Sequence, residues 1–347
     1  MDFSVKLVGW YQNNKRDLPW RNTVNPYYIW LSEIILQQTR VLQGTPYYLS
    51  FLAAFPTIED LANATEDKVL KMWQGLGYYS RARNLHFTAK YIVDNYGGEF
   101  PKDHHKVLEL KGIGVYTAAA ITSFAFNMPY AVVDGNVTRV LSRVFGVSIP
   151  FDTSDGKKYF QNLAQKLLIK EKAAIYNQAI MEFGAIMCKP KSPYCSCCPF
   201  QGFCVAYATN SVAELPVKSK KINVKDRFLY YLLIEQEEGI FFGKRKSGIW
   251  TGLYEFPFLE FKSKINLKEI MQSDDWASIF LNSNYNVKSF SSEFIHVLSH
   301  QKIHAHFLRV RASGVTMNEY ELISNNSLLK FPISRLTEKY FQSIDLV

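Results

Sequence analysis

The chain has 347 residues, 48% of them hydrophobic and 15% aromatic, more apolar material than one core ordinarily accommodates, so two domains are expected. Forty Lys and Arg against 31 Asp and Glu leave a formal charge of +9, which suits a polyanionic partner, although an unspecialised basic enzyme would carry the same charge. All five cysteines fall between Cys188 and Cys204, a clustering that argues against a disulfide framework and for a metal centre.

The opening Met-Asp-Phe-Ser-Val-Lys-Leu-Val-Gly-Trp-Tyr has no basic stretch followed by a long apolar one, so no secretory signal is expected. No apolar run reaches the ~18 residues of a membrane span. A soluble, cytoplasmic chain is expected.

Residues 1–26 carry an amphipathic helix and then Asp17-Leu18-Pro19-Trp20-Arg21, an irregular segment fixed by Pro19. Asn25-Pro26 has the composition of an N-cap followed by the first helical position. The helix that follows, about 27–43, is apolar at nearly every position around Glu33. A lone carboxylate there is costly unless it is satisfied or protonated. Glu33 is therefore either a surface or capping residue or a carboxyl of raised pKa poised as a general acid.

Further helices are expected to about residue 100, broken at Gly75-Leu76-Gly77-Tyr78-Tyr79-Ser80-Arg81-Ala82-Arg83. Glycines, tyrosines and arginines together suit a loop that meets DNA, but also a packed helix corner with a solvated charge pair. Next comes Leu110-Lys-Gly-Ile-Gly-Val-Tyr-Thr-Ala-Ala-Ala, two glycines between two helical stretches at about 105–126. Gly112 and Gly114 allow positive φ and close backbone approach, and the N–H groups opening the second helix make an anion site. The same residues would also make a plain αα-corner.

Asp134 stands just ahead of a helical run, the place of an ordinary N-cap, where N–H groups and the helix dipole hold a carboxylate ionised. Residues 157–187 are expected to be helical. Cys188-x6-Cys195-x2-Cys198-x5-Cys204, with Cys197 as an extra thiol, then forms a loop around a centre, for which zinc is the generic alternative. Near Val217 the composition changes. Lys218-Ser219-Lys220-Lys221 reads as a basic, exposed linker, and afterwards strands dominate, with one helix at about 267–281.

Together these stretches resemble the adenine DNA glycosylase family, within the endonuclease III-like helix-hairpin-helix superfamily. The matching motifs are Leu18-Pro19-Trp20-Arg21, Ser32-Glu33-Ile34-Ile35-Leu36-Gln37-Gln38-Thr39, Gly75-Leu76-Gly77-Tyr78-Tyr79, the glycine hairpin, Val133-Asp134-Gly135-Asn136 and the four spaced cysteines. Gly248-Ile249-Trp250-Thr251-Gly252-Leu253-Tyr254-Glu255-Phe256-Pro257 and His296-Val297-Leu298-Ser299-His300 narrow the likeness to this family.

The resemblance implies an all-α glycosylase domain over 1–215, a linker over 216–226 and a Nudix-like α+β lesion-recognition domain over 227–347. It implies a [4Fe–4S] cluster on Cys188, Cys195, Cys198 and Cys204, structural in role because four cysteines leave no open position. Lys189 and Lys191 could meet phosphates. The implied partner is double-stranded DNA holding adenine opposite 8-oxoguanine or guanine, gripped at Gly112 and Gly114 by a monomeric enzyme, nucleoid-associated if bacterial.

By the same resemblance Glu33 protonates the flipped adenine, Asp134 stabilises or captures the sugar cation, and Asn136 and Tyr116 orient them. Trp20, Arg21 and Glu182 line the adenine pocket, while Gln38 and Tyr79 fill the gap and wedge the stack. Ser299 and His300 read the lesion. Tyr116 occupies the place of the lysine nucleophile of strand-cutting relatives, so no lyase activity is expected. Nothing matches the metal helix of Nudix hydrolases. Leu298 stands where the family's lesion-reading loop has an aromatic, which puts stacking from that position in doubt.

Overall fold

The computed structural model describes residues 3–219 and 224–344. Two compact units emerge: Met1–Asn63 with Asn84–Lys220, and Ala64–Arg83 with Lys221–Val347. Sequence had placed 64–83 in the helical domain; in the structure this segment packs with the C-terminal chain. Residues 220–223 of the expected linker lie outside the described residues. No described helix is long and apolar enough to cross a membrane.

The chain begins with helices α1 (Phe3–Asn14), α2 (Pro26–Leu36), α3 (Val41–Ala54), α4 (Ile58–Asn63), α5 (Glu66–Met72), α6 (Ser80–Tyr96) and α7 (His104–Glu109). It continues with α8 (Val115–Phe126), α9 (Gly135–Phe145), α10 (Ser154–Leu167), α11 (Ala173–Ile186) and α12 (Val205–Ala208). All but α5 and the first turn of α6 belong to the first unit. Asn25 caps α2 as expected, its side chain accepting from the N–H groups of Tyr27 and Tyr28, and eight of the eleven residues of α2 are buried.

The helix ends at Leu36 rather than near 43. Gln38 takes a left-handed φ of 55°, which stops a helix much as a C-terminal glycine does. The expected helix over 157–187 is also two, α10 and α11. The side chain of Asn127 donates to the carbonyl of Glu171 and accepts from the N–H of Ala174, so a residue forty positions away supplies the break.

Gly112 has φ 82°, and a Cβ there would stand 2.7 Å from that of Asn84. Only glycine fits this hairpin between α7 and α8. The core beneath joins α1, α9, α10 and α11 through Leu7, Val137, Val140, Leu141, Phe160, Ile180 and Phe183.

The second unit is built on β1 (Lys225–Gln236), followed by β2 (Gly239–Lys244), β3 (Tyr254–Glu255), β4 (Phe258–Phe261), β5 (Asn284–Phe290), β6 (Phe294–Val297), β7 (Gln301–Ser313) and β8 (Glu321–Ile323). β1 pairs parallel with β7 and antiparallel with β2 and β4. Side chains alternate across β1. Leu229, Tyr231 and Leu233 face α15 (Arg335–Ser343), whereas Tyr230, Leu232 and Ile234 face α13 (Leu267–Met271) and α14 (Asp274–Phe280). The single helix expected at 267–281 is interrupted because Ser273 caps α14 by accepting from the N–H of Trp276. Segment 64–83 joins this unit through Lys71, which donates to the carbonyls of Leu329 and Phe331.

Candidate active site

In the first unit Glu33, Asp134, Asn136, Tyr116, Trp20, Arg21 and Glu182 line one cavity of about 180 Å³. That is room for several waters at roughly 30 Å³ each. Glu33 faces it from α2 with 7% of its surface exposed. Burial pushes its carboxyl up to about 7, helped by the charge of Asp134 and opposed by a hydrogen bond from Tyr116 and by Arg21. The Tyr116 hydroxyl donates to Glu33 Oε2 at 2.8 Å, and burial holds that phenol well above its ordinary pKa. Glu33 is thus not a surface residue, and it can carry a proton near neutral pH.

Asp134 caps α9, accepting from the N–H of Val137 at 2.7 Å and from Asn136 Nδ2 at 2.8 Å. The cap was expected to favour ionisation; in the structure burial moves the pKa above the ordinary value, and those donors with Arg139 oppose it. Asn136 Oδ1 in turn accepts from Arg139 Nη2, whose Nε donates to the carbonyl of Cys188. Asn136 also sets the spacing of α9 and α11: a Cβ on Gly184 would come within 2.7 Å of its Cβ. The Asp134 carboxyl therefore hangs on a chain of side chains that ends at the cysteine loop.

Glu182 departs from the simple picture of a pocket-lining acceptor. Its side chain is fully buried. Oε1 accepts from Arg16 N and Nε, and Oε2 from Arg16 Nη2 and Arg21 Nη2. Burial favours the neutral acid, yet Arg16 and Arg21 outweigh it and hold the carboxyl at about 2. With about four lone-pair sites on a carboxylate, none remains for a base.

Sequence reasoning passed over Arg16, although it immediately precedes the Asp17-Leu18-Pro19-Trp20-Arg21 motif, and also passed over Gln178. Gln178 stands one helical turn before Glu182 on the same face of α11, lines the cavity, and accepts from the Tyr11 hydroxyl at 2.7 Å. Trp20 is buried with its ring edge-on to Tyr48.

Gln38 is exposed in its left-handed turn and does not line this cavity. Gly114 caps α8 without any side-chain partner, so the first N–H groups of α8 are open to an anion. Gly112 is exposed beside it.

In the second unit Tyr79 is buried, its hydroxyl donating to the carbonyl of Ile333. A wedge from Tyr79 is therefore corrected: the exposed ring is that of Tyr78, at φ 48°. Its hydroxyl lies 2.6 Å from Ser299 Oγ. Ser299 and His300 are both exposed.

Cys188, Cys198 and Cys204 pack against the helical core, and Cys197 is exposed. Burial raises the thiols of Cys195, Cys198 and Cys204. Arg143 Nη1 donates to Cys188 Sγ and the N–H of Phe200 to Cys198 Sγ. Among the described residues no three His, Cys, Asp or Glu side chains stand close enough to hold an ion as placed. The chemistry of the donor set nevertheless fits a thiolate-bound centre: four soft sulfurs, flanking N–H donors and a guanidinium that favour the thiolate.

Residues 31–170 match the model of the HhH-GPD superfamily of base excision DNA repair proteins, and residues 229–343 match that of the NUDIX domain. The adenine DNA glycosylase of Buchnera aphidicola subsp. Baizongia pistaciae is 34% identical over 94% of this chain and 89% of its own. The chain belongs to the adenine DNA glycosylase family. The adenine DNA glycosylase of Mus musculus is 42% identical over 59% of this chain and 42% of its own length. A solved thermostable thymine-DNA glycosylase superposes with a TM-score of 0.56 at 31% identity, over 60% of this chain and 95% of that one. The enzyme is a DNA N-glycosylase that removes adenine, with an N-terminal helix-hairpin-helix domain and a Nudix-like domain after it.

Proposed function

We propose that this glycosylase excises adenine paired with 8-oxoguanine or guanine, flipping the base from the duplex and hydrolysing its N-glycosidic bond by acid catalysis. Acting as a monomer on double-stranded DNA, it pays unstacking to bring adenine into a closed pocket. The observation that carries the reading is the buried Glu33 carboxyl, near pKa 7, sharing a cavity with Asp134.

Glu33 gives its proton to the purine, because neutral adenine leaves more readily than its anion. Asp134, held by donors from Val137 and Asn136, stabilises or captures the cation that develops on the sugar. Glu33, now a base, activates water. Two carboxyls in opposite protonation states is the division of labour of glycoside hydrolysis. Tyr116 steadies Glu33 and offers no amine, so the abasic strand stays intact.

Arg16 and Arg21 with Glu182, and Trp20 beside them, form the wall of the base pocket. Gly112 and Gly114 seat a backbone phosphate. Gln38 fills the gap left by the flipped base, and Ser299 and His300 read the oxidised base opposite. Cys188, Cys195, Cys198 and Cys204 would hold a [4Fe–4S] cluster, which supplies structural rigidity to the loop carrying Lys189 and Lys191.

Single-turnover base release from duplexes with adenine opposite 8-oxoguanine, adenine opposite guanine, and thymine glycol tests the reading with wild type and Glu33→Gln. Adenine release with an intact strand, lost in the variant, is expected. Release of the oxidised pyrimidine with strand cutting would overturn it.

A further inference from the structure

The lesion-reading reading rests on polar groups, and Leu298 leaves it without the aromatic that position would carry. Leu298 packs partly against the core of the second unit, as Trp250 also does, and its aliphatic side chain offers no ring to a base. Beside it lies a cavity of about 250 Å³ bordered by Ser299, His300, Tyr78 and Trp250.

Trp250 is unusual in its backbone. It holds φ 63°, a left-handed conformation that bulky residues avoid. The turn is held in this state by its neighbours. Leu253 N donates to the carbonyl of Trp250, and the N–H of Gly252 to that of Arg245. Arg83 donates to the carbonyl of Thr251. The Trp250 ring meets His296 edge-on at 5.5 Å. Tyr78, the other aromatic at positive φ, borders the same cavity and touches Ser299. Two rings held in left-handed turns thus converge on one hydroxyl and one imidazole. An aromatic face, a hydroxyl and an imidazole are what a flat heterocycle with polar edges requires.

We propose that Trp250 is a specificity-determining residue, the aromatic platform on which the oxidised purine opposite the target adenine stacks beside Ser299 and His300. This rests on the lesion-reading role proposed above for those two residues. Stacking alone does not tell 8-oxoguanine from guanine; it contributes when the polar groups admit the base to the pocket, so the two interactions are coupled.

The test compares wild type with Trp250→Leu, Trp250→Met, Trp250→Phe and Ser299→Ala, each checked for an unchanged thermal melt. Affinity and single-turnover excision are measured on duplexes with adenine opposite 8-oxoguanine and opposite guanine. Stacking on one ring is worth about tenfold in affinity. Trp250→Leu and Trp250→Met should therefore lower the preference for the 8-oxoguanine duplex about tenfold, while Trp250→Phe keeps most of it.

If Ser299→Ala lowers the preference and the Trp250 variants do not, the polar reading stands and the platform falls. If neither changes it, the lesion is read elsewhere and both fall. Equal weakening on both duplexes makes Trp250 a general DNA contact and overturns the proposal.

Discussion

With Glu33 as the proposed acid, its pKa should set the pH profile of the enzyme, and Tyr116 is the lever that should move it. Glu33 must be protonated to donate, so with a pKa of about 7 single-turnover excision should be level below pH 6 and fall above neutrality. About one enzyme in ten keeps the proton one unit above the pKa, and about one in a hundred at pH 9. Tyr116 donates to the carboxylate, which favours the charged form and holds the pKa down. Tyr116→Phe removes that bond and leaves the burial. A hydrogen bond to a charged group is worth about 1.5–3 kcal/mol, so the descending limb should move to higher pH by about one to two units. At pH 9 the variant would then keep a larger fraction of its own maximal rate than wild type does. The assay is single-turnover adenine release from pH 5.5 to 9.5, with the Kd for the duplex followed in parallel. A wild-type profile that is flat to pH 9, or a Tyr116→Phe limb displaced to lower pH, would refute Glu33 as the acid.

Glu33→Gln should abolish excision and yet stabilise the fold at alkaline pH. The folded pKa is raised from 4.5 to about 7, so the buried charge costs nothing at pH 4, progressively more between those values, and on the order of 3 kcal/mol above them; a variant melting no higher than wild type at pH 8.5 would contradict this. Arg16→Ala leaves the buried Glu182 carboxylate short of two bonds, while the backbone N–H of residue 16 still donates. We expect a loss of roughly 1–3 kcal/mol by denaturant unfolding, with a fall in excision that raised DNA concentration does not restore. Cys198→Ser should yield protein deficient in iron and sulfide, and retention of full iron content would remove Cys198 from the cluster. Borohydride added during turnover should trap no protein–DNA adduct, since Tyr116 has no amine; an adduct would mean another nucleophile acts.

What could be read along the chain was whatever depends on a residue and its immediate neighbours. Asn25-Pro26 announced the start of α2, Asp134 capped α9, and Gly112 required a left-handed turn, because caps and glycines act within a few bonds. Glu33 was legible as an anomaly, one acid in an apolar stretch. What escaped was decided across the fold. Arg16 gained its meaning only from Glu182 on a helix 166 residues away, and α11 began where Asn127 held Glu171 and Ala174. Tyr78 and Tyr79 are identical in type and adjacent, so no pattern separates the exposed ring from the buried one; the carbonyl of Ile333 does that.

Gln38, Tyr78 and Trp250 share one more property. Each is a large side chain held at positive φ with no local motif to signal it, and that strain persists only because surrounding structure over-determines it. Backbone strain of this kind is paid by tertiary contacts and leaves no mark on composition or periodicity. Asn127 carries the same strain in the service of the fold, so positive φ alone does not mark a DNA contact; the roles proposed for Gln38 and Trp250 add an exposed turn and a shared cavity to it.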